Sequence, residues 1–186
     1  MSWELEHSAD SKASAEAVWE RYTDVENWRE WSPKGVEESG LEGQFEVGSK
    51  GFSKAPHLPK GRFELVEVEP ERRFVSQAKL PGARLHFEHR VEPRDGGTRI
   101  THRASLEGPL APVWRPLIGP IIERGLPTGV ERLAEVAVEK QKEAEREAIE
   151  AKEREKRLKE ADEQFKEELK KTAHGHDPGG ASVPGT

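Results

Sequence analysis

His89 and His102 lie on the two arms of one predicted hairpin, and that placement is what would give them chemistry. The turn between the arms is Asp95-Gly96, a pair that predicts a two-residue type I′ loop. Such a loop sets Arg94 against Gly97. Counting outward, Val91 then faces Ile100, His89 faces His102, Phe87 faces Ala104 and Leu85 faces Leu106. These positions share one side of the strands, and their apolar company marks it as the inward side. The other side carries His86, Glu88, Arg90, Arg99, Thr101 and Arg103, which suit solvent. Facing residues in such a pair have Cβ atoms about 4.5–5.5 Å apart. Two imidazoles at that separation, titrating near neutral pH, suit acid and base work on a carbonyl-rich substrate. Imidazoles in apolar surroundings also serve as hydrogen-bonded structural groups or orient a ligand's oxygen. The residues alone leave both readings open.

Other chemistry is thinner. Tyr22, the only tyrosine, can hydrogen-bond a ligand or simply pack. Trp19, Trp28 and Trp31 suit core and rim packing. Glu64 shares parity with Val66 and Val68, so it points inward if they do and is a solvated acid otherwise. The chain has no cysteine, which removes disulfides, thiolate zinc sites and cysteine nucleophiles. It has neither a phosphate-loop pattern nor a Gly-x-Ser-x-Gly elbow.

The elements that must position these residues follow from patterning. Trp3, Leu5 and His7 alternate with Glu4 and Glu6, a first strand. Ser14 caps a helix bearing Ala17, Val18 and Tyr22, and Thr23 or Asp24 caps a second short helix carrying Val25, Trp28 and Trp31. Strands follow, divided by glycines, with Arg62–Glu69 stopped by Pro70 and Arg73–Lys79 stopped by Pro81-Gly82. The segment Trp114–Ile122, broken by Pro116 and Pro120, reads as short turns or irregular helix. A long helix is expected from about Leu126-Pro127, with Val130, Leu133, Ala134, Ala137 and Val138 on its apolar face. The plan is α+β: a curved antiparallel sheet of about seven strands gripping a long C-terminal helix, with two short helices after the first strand.

At this point residues 1–138 resemble the SRPBCC superfamily (START-like, helix-grip), in particular its polyketide cyclase/dehydrase and lipid-transport branch. The resemblance rests on Ala13–Trp28, with Trp19, Thr23-Asp24 and Trp28 after the first strand. It also rests on Gly48-Ser-Lys-Gly51, on Phe63–Phe74 and on Thr101–Leu110 before the last helix. It implies a hydrophobic cavity for a lipid, polyketide, sterol-like or isoprenoid ligand between sheet and helix. Some members cyclise or dehydrate their ligand and many only bind or carry it, so the fold does not choose. The expected function is binding, or carriage, of a hydrophobic small molecule. The alternative is a cyclase/dehydratase-like enzyme with His89 and His102 as its acid and base. The cavity set is Trp3, Leu5, His7, Tyr22, Leu85, Phe87, Ile100, Ala104, Val130 and Leu133. In this fold the first strand pairs with the last, so His7 would join His102 and His89 in a row. Three neutral imidazoles can hold zinc or iron with an open position, the minor alternative. No cofactor or metal is expected.

From Glu139 the composition changes to Glu, Lys, Arg and Ala, without Gly or Pro as far as Lys171. Residues 139–173 are therefore expected to continue the last helix as a charged extension, supported by pairs such as Glu155–Lys159 and Asp162–Lys166. Ala137, Ala144, Ala151, Leu158 and Phe165 recur every seven residues, but the matching second seam is mostly charged. The extension reads as a solvated helix, or as a self-association or partner helix, which would make the protein an interaction module. Residues 174–186 are expected to be disordered, and His174 and His176 on that tail do not make a metal site. The charged fraction is 35% and the formal net charge −6, which argues against general nucleic-acid binding. No apolar run is long enough to span a membrane, and the N-terminus lacks a secretory pattern, so the expected location is cytoplasmic.

Overall fold

The structure, a computed structural model, describes residues 3–174, with side chains described as far as Lys171. The expected tail 174–186 lies outside the described residues except for the helical backbone of His174, and His176 lies outside them entirely. Seven strands form one antiparallel sheet: β1 (Trp3–Ser11), β2 (Glu38–Leu41), β3 (Lys50–Lys54), β4 (Gly61–Glu69), β5 (Arg73–Leu80), β6 (Ala83–Arg94) and β7 (Gly97–Glu107). Their order across the sheet is β1-β7-β6-β5-β4-β3-β2. Helix α1 (Ala15–Thr23) and a 3-10 helix (Val25–Glu30) follow β1, and α2 (Ala111–His174) closes the chain. This is the helix-grip α+β plan.

The β6–β7 register follows the turn count. Arg94 pairs with Gly97, Val91 with Ile100, His89 with His102, Phe87 with Ala104 and Leu85 with Leu106. The turn itself differs from type I′, which needs positive φ at both central residues. Gly96 takes φ +79°, while Asp95 is absent from the residues with positive φ. That sign pattern is the one in which only the second central residue must be glycine. Gly97 is required for a separate reason. A Cβ there would stand 2.0 Å from the Ser11 carbonyl oxygen, where β1 ends against the hairpin.

Helix α1 begins at Ser14, whose Oγ accepts from the Ala17 amide at 3.1 Å. Such a cap is worth about 1 kcal/mol. Its buried face is Ala17, Val18, Trp19 and Tyr22. Asp24 stands at the start of the 3-10 helix but makes no side-chain cap; its carboxylate accepts from Asn27 Nδ2 instead. The register of β4 against β5 shifts between Leu65 and Glu67. Before the shift Phe63 and Leu65 are buried, so Glu64 lies on the outer side, 3.7 Å from Lys79 Nζ. The outer side is laced by ion pairs, among them Arg90–Glu6 at 2.6 Å, Arg99–Asp10 at 2.9 Å, Arg73–Glu88 at 2.8 Å and Arg103–Glu4. Thr101 departs from its solvent-facing expectation. It is buried, with its hydroxyl 2.8 Å from that of Ser8 on the neighbouring strand.

The main difference from sequence expectation is where α2 starts. It begins at Ala111 and carries Pro116, Pro120 and Pro127 inside it. At 100° per residue the three prolines fall within about 40° of one another. Pro116 and Pro120 are exposed, and so are Pro112, Pro116 and Glu123, the residues four earlier whose carbonyls lose a helical partner. Solvent can satisfy those carbonyls, so the helix survives three prolines. On the other side Ile122, Leu126, Val130, Leu133, Ala134 and Ala137 are buried.

The chain divides into two compact units, Met1–Lys142 and Glu143–Thr186. The division falls four residues beyond the compositional change at Val138, and Gln141 gives a reason. Its Oε1 accepts from the Ser14 amide at 2.9 Å, tying this part of α2 to the start of α1. In the second unit the described side chains are exposed, including Ile149, Leu158, Phe165 and Leu169. Pairs four residues apart run along it, such as Lys159–Glu155 at 2.6 Å and Lys166–Asp162 at 2.5 Å.

Two predictions come from these contacts. Gly97→Ala should cost about 3 kcal/mol in urea unfolding, because neither backbone can move aside. Gly96→Ala meets open space and should cost only about 1–2 kcal/mol for its positive φ. Equal losses would show that the Ser11 contact is not limiting. A chain ending at Lys142 should keep its near-ultraviolet circular dichroism and unfolding midpoint; loss of either would mean that Met1–Lys142 does not stand alone.

Candidate functional site

Backbone pairing puts three histidines in one row. His7 of β1 pairs with His102 of β7, and His102 pairs with His89 of β6. The row continues into β5, where Phe74 pairs with His89. Period-two alternation sends all four side chains to the concave side. His89 stacks flat on Phe74 at 4.2 Å between ring centres and meets His102 edge-on at 4.3 Å. Helix α1 lowers Tyr22 onto this row, with its hydroxyl 2.8 Å from His102 Nε2. The tautomer of His102 sets which of the two donates. Trp31 covers His102 edge-on at 5.7 Å.

His7 goes elsewhere. Its ring is half-exposed, and Nε2 lies 3.4 Å from Glu131 Oε1 on α2. Among the described residues no group of three or more His, Asp or Glu side chains is arranged to hold a metal ion. The pairing of His7 with His102 is therefore a backbone relation that does not bring three ligands together.

Burial governs the electrostatics of the inner pair. It pushes the His89 imidazole down to about 3, while a hydrogen bond to the Phe87 backbone acts in the opposite direction. No hydrogen bond of ordinary geometry satisfies His89 Nδ1. Burial also pushes His102 well below the usual imidazole range, and the neighbouring His89 and His7 add to this. Tyr22 is raised well above the ordinary phenol value by burial. At neutral pH all three are uncharged and resist charging. An efficient acid or base titrates near the working pH, so this row is better suited to hydrogen bonding than to proton transfer.

The other residues expected to line a cavity fall into two groups. Tyr22, Ile100, Ala104, Val130 and Leu133 are fully buried, in contact with the core rather than with open space. Trp3, Leu5, Leu85 and Phe87 are partly buried and pack against that core. They form two further rows, Leu5–Ala104–Phe87 and Trp3–Leu106–Leu85, next to the histidine row. Ser76 faces Phe87 from β5. Phe74 lies outside the expected set, although the Pro81-Gly82 turn points to it: pairing Leu80 with Ala83 also sets Phe74 against His89. The sequence suggests only packing for Trp31, and nothing in it shows its place over His102.

Residues 2–142 match the family described as polyketide cyclase / dehydrase and lipid transport. Among solved structures, the chain is similar to the Zhui aromatase/cyclase of Streptomyces sp. R1128. The TM-score is 0.62 at 14% identity, over 74% of this chain and 94% of that one. It is similar to truncated norcoclaurine synthase of Thalictrum flavum, with TM-score 0.59 at 16% identity, over 75% of this chain and 95% of that one. A structural-genomics protein of Nitrosomonas europaea gives TM-score 0.58 at 18% identity, over 74% and 95%. At these identities the structural likeness is one of fold. No curated protein sequence matches.

The buried imidazoles make stability pH-dependent. Unfolded histidines take up protons near pH 6.5, while His89 in the fold does so only near pH 3. Between those values the unfolded state binds more protons, so stability falls as pH falls. Unfolding free energies from urea titrations between pH 7.5 and 5 should therefore drop, by up to about 1.4 kcal/mol per pH unit for each buried imidazole once below pH 6.5. His89→Phe should flatten the slope. An unchanged slope would mean that His89 is solvated in the fold.

Proposed function

Because this chain belongs to the polyketide cyclase/dehydrase and lipid-transport family, we propose that its concave face binds a hydrophobic small molecule of lipid, polyketide or isoprenoid type. The observation that supports this reading is the partial burial of Trp3, Leu5, Leu85 and Phe87 on the same face as the fully buried Ala104 and Leu106. Large apolar side chains on the inward face of a sheet are normally sealed by the helix that packs on it. Here they stay partly uncovered, which is the character of a small-molecule site. Ile118 of α2 packs against the same clusters and borders the strip.

Binding is favoured over acid–base catalysis. The imidazoles that an enzyme of this kind would use are neutral, deeply buried and far from their ordinary titration range. Protonating either one inside the core works against desolvation.

Fluorescence titration with N-phenyl-1-naphthylamine tests the reading. The protein should bind it in the micromolar range, and Phe87→Ser together with Leu85→Ser should weaken binding about tenfold or more. The outer-side variant Arg84→Ala should leave it unchanged. Absence of binding by the wild-type protein, or insensitivity to the double substitution, would overturn the assignment.

A further inference from the structure

Among the described residues, two buried ring nitrogens lack a hydrogen bond of ordinary geometry. Trp31 is 5% exposed, and its Nε1 makes no hydrogen bond. His89 is 7% exposed; the Phe87 backbone engages its imidazole, but Nδ1 makes no hydrogen bond of ordinary geometry. The other buried side-chain nitrogens without a hydrogen bond among the described residues are the Nε atoms of Arg21, Arg90 and Arg103, whose guanidinium groups are engaged through other nitrogens. Trp31 has no such second atom, because the indole N–H is its whole polar capacity. Trp28 and Trp114, by contrast, donate to the carbonyls of Tyr22 and Pro81, each at 2.9 Å.

Both orphans border the same two rings. Trp31 lies 5.9 Å from Tyr22 and 5.7 Å from His102. His89 lies 5.3 Å from Tyr22 and 4.3 Å from His102. Tyr22 and His102 satisfy each other, so neither completes the orphans. An N–H buried without an acceptor is costly, and native cores rarely keep one unless something else supplies the oxygen. The cluster also adjoins the apolar strip. His89 is two residues from Phe87 and His7 two from Leu5, about 7 Å along their strands.

We propose that the inner end of the site takes a neutral oxygen, the hydroxyl or carbonyl of an otherwise apolar ligand, held by Trp31 Nε1 and His89 Nδ1. The proposal rests on the hydrophobic-binding reading above and adds the chemistry of the ligand's inner end. Trp31 N–H donates to the oxygen; His89 Nδ1 donates or accepts according to its tautomer. The four rings carry no charge at neutral pH, so an ionised carboxylate or phosphate would be buried there without a counterion. The body of the ligand lies along Leu5, Phe87 and Leu85.

Calorimetric titration at pH 7.5 with 2-methylnaphthalene, 2-naphthol and 2-naphthoate tests this. The wild-type protein should bind 2-naphthol about tenfold more tightly than either of the others. Trp31→Phe and His89→Phe keep an aromatic ring and remove the polar atom. Each should reduce the preference to about threefold or less, with 2-methylnaphthalene affinity nearly unchanged. If 2-naphthol binds no better than 2-methylnaphthalene to the wild type, the proposal fails while the hydrophobic-binding reading stands; the orphans then hold buried water. A preference undiminished in folded variants also overturns it. If none of the three binds, both readings fall. Should a variant not fold, as judged by circular dichroism, the wild-type order of affinities decides.

Discussion

The register of the β6–β7 hairpin is the constraint on which the rest of the interior depends. Side chains alternate between faces, so a slip of one residue would send His89, Phe87 and Leu85 to solvent and bring Glu88 and Arg90 inward. Two features hold the register. The two-residue turn sets the pairing of Arg94 with Gly97, and Gly97 lets the end of β1 lie directly on the hairpin. With β7 in place, β1 pairs along its whole length, and β5 joins β6 through the Pro81-Gly82 turn. The concave face is thus assembled outward from one turn.

What fills that face is largely aromatic. Trp19, Tyr22, Trp28, Trp31, Phe45 and Phe74 meet at ring separations of 5.0 to 6.3 Å, mostly edge-on. Such packing gives large apolar burial at low conformational cost. Placing two imidazoles in it has an electrostatic consequence: desolvation keeps both neutral, and their hydrogen-bonding capacity becomes their main property. The outer face follows the opposite logic. There Glu and Arg side chains pair across strands in water, where each pair contributes little to stability but a wrong register would bury charge. The charges therefore help to specify which face is inward.

Helix α2 shows how position around a helix outweighs composition. Proline disfavours a helix interior on average. Here the prolines gather on one side, with Pro116 and Pro120 exposed and Pro127 half-buried, and Ile122, Leu126 and Val130 face the core. Further along, from Glu143, the same helix has exposed side chains and is supported by pairs four residues apart. The seven-residue series there is apolar on one seam and charged on the other, which is a poor basis for a coiled coil.

Local rules in the sequence were enough for the element order, the seven strands, the Ser14 cap and the pairing of His89 with His102. Each follows from period-two alternation, a capping side chain or a turn of known length. The start of α2 was not legible, because a linear count of prolines does not show that they share one side of the helix and that the carbonyls they leave unpaired belong to exposed residues. The site was half legible for a related reason. Strand pairing is one-dimensional and can be counted, so His7, His102, His89 and even Phe74 fall in one row by arithmetic. Only packing in three dimensions lowers Tyr22 onto His102, brings Trp31 beside it and turns His7 toward Glu131. The depth of burial, the neutrality of the imidazoles and the unpartnered ring nitrogens all arise from that packing, since desolvation depends on every neighbour at once and no spacing in the chain encodes it.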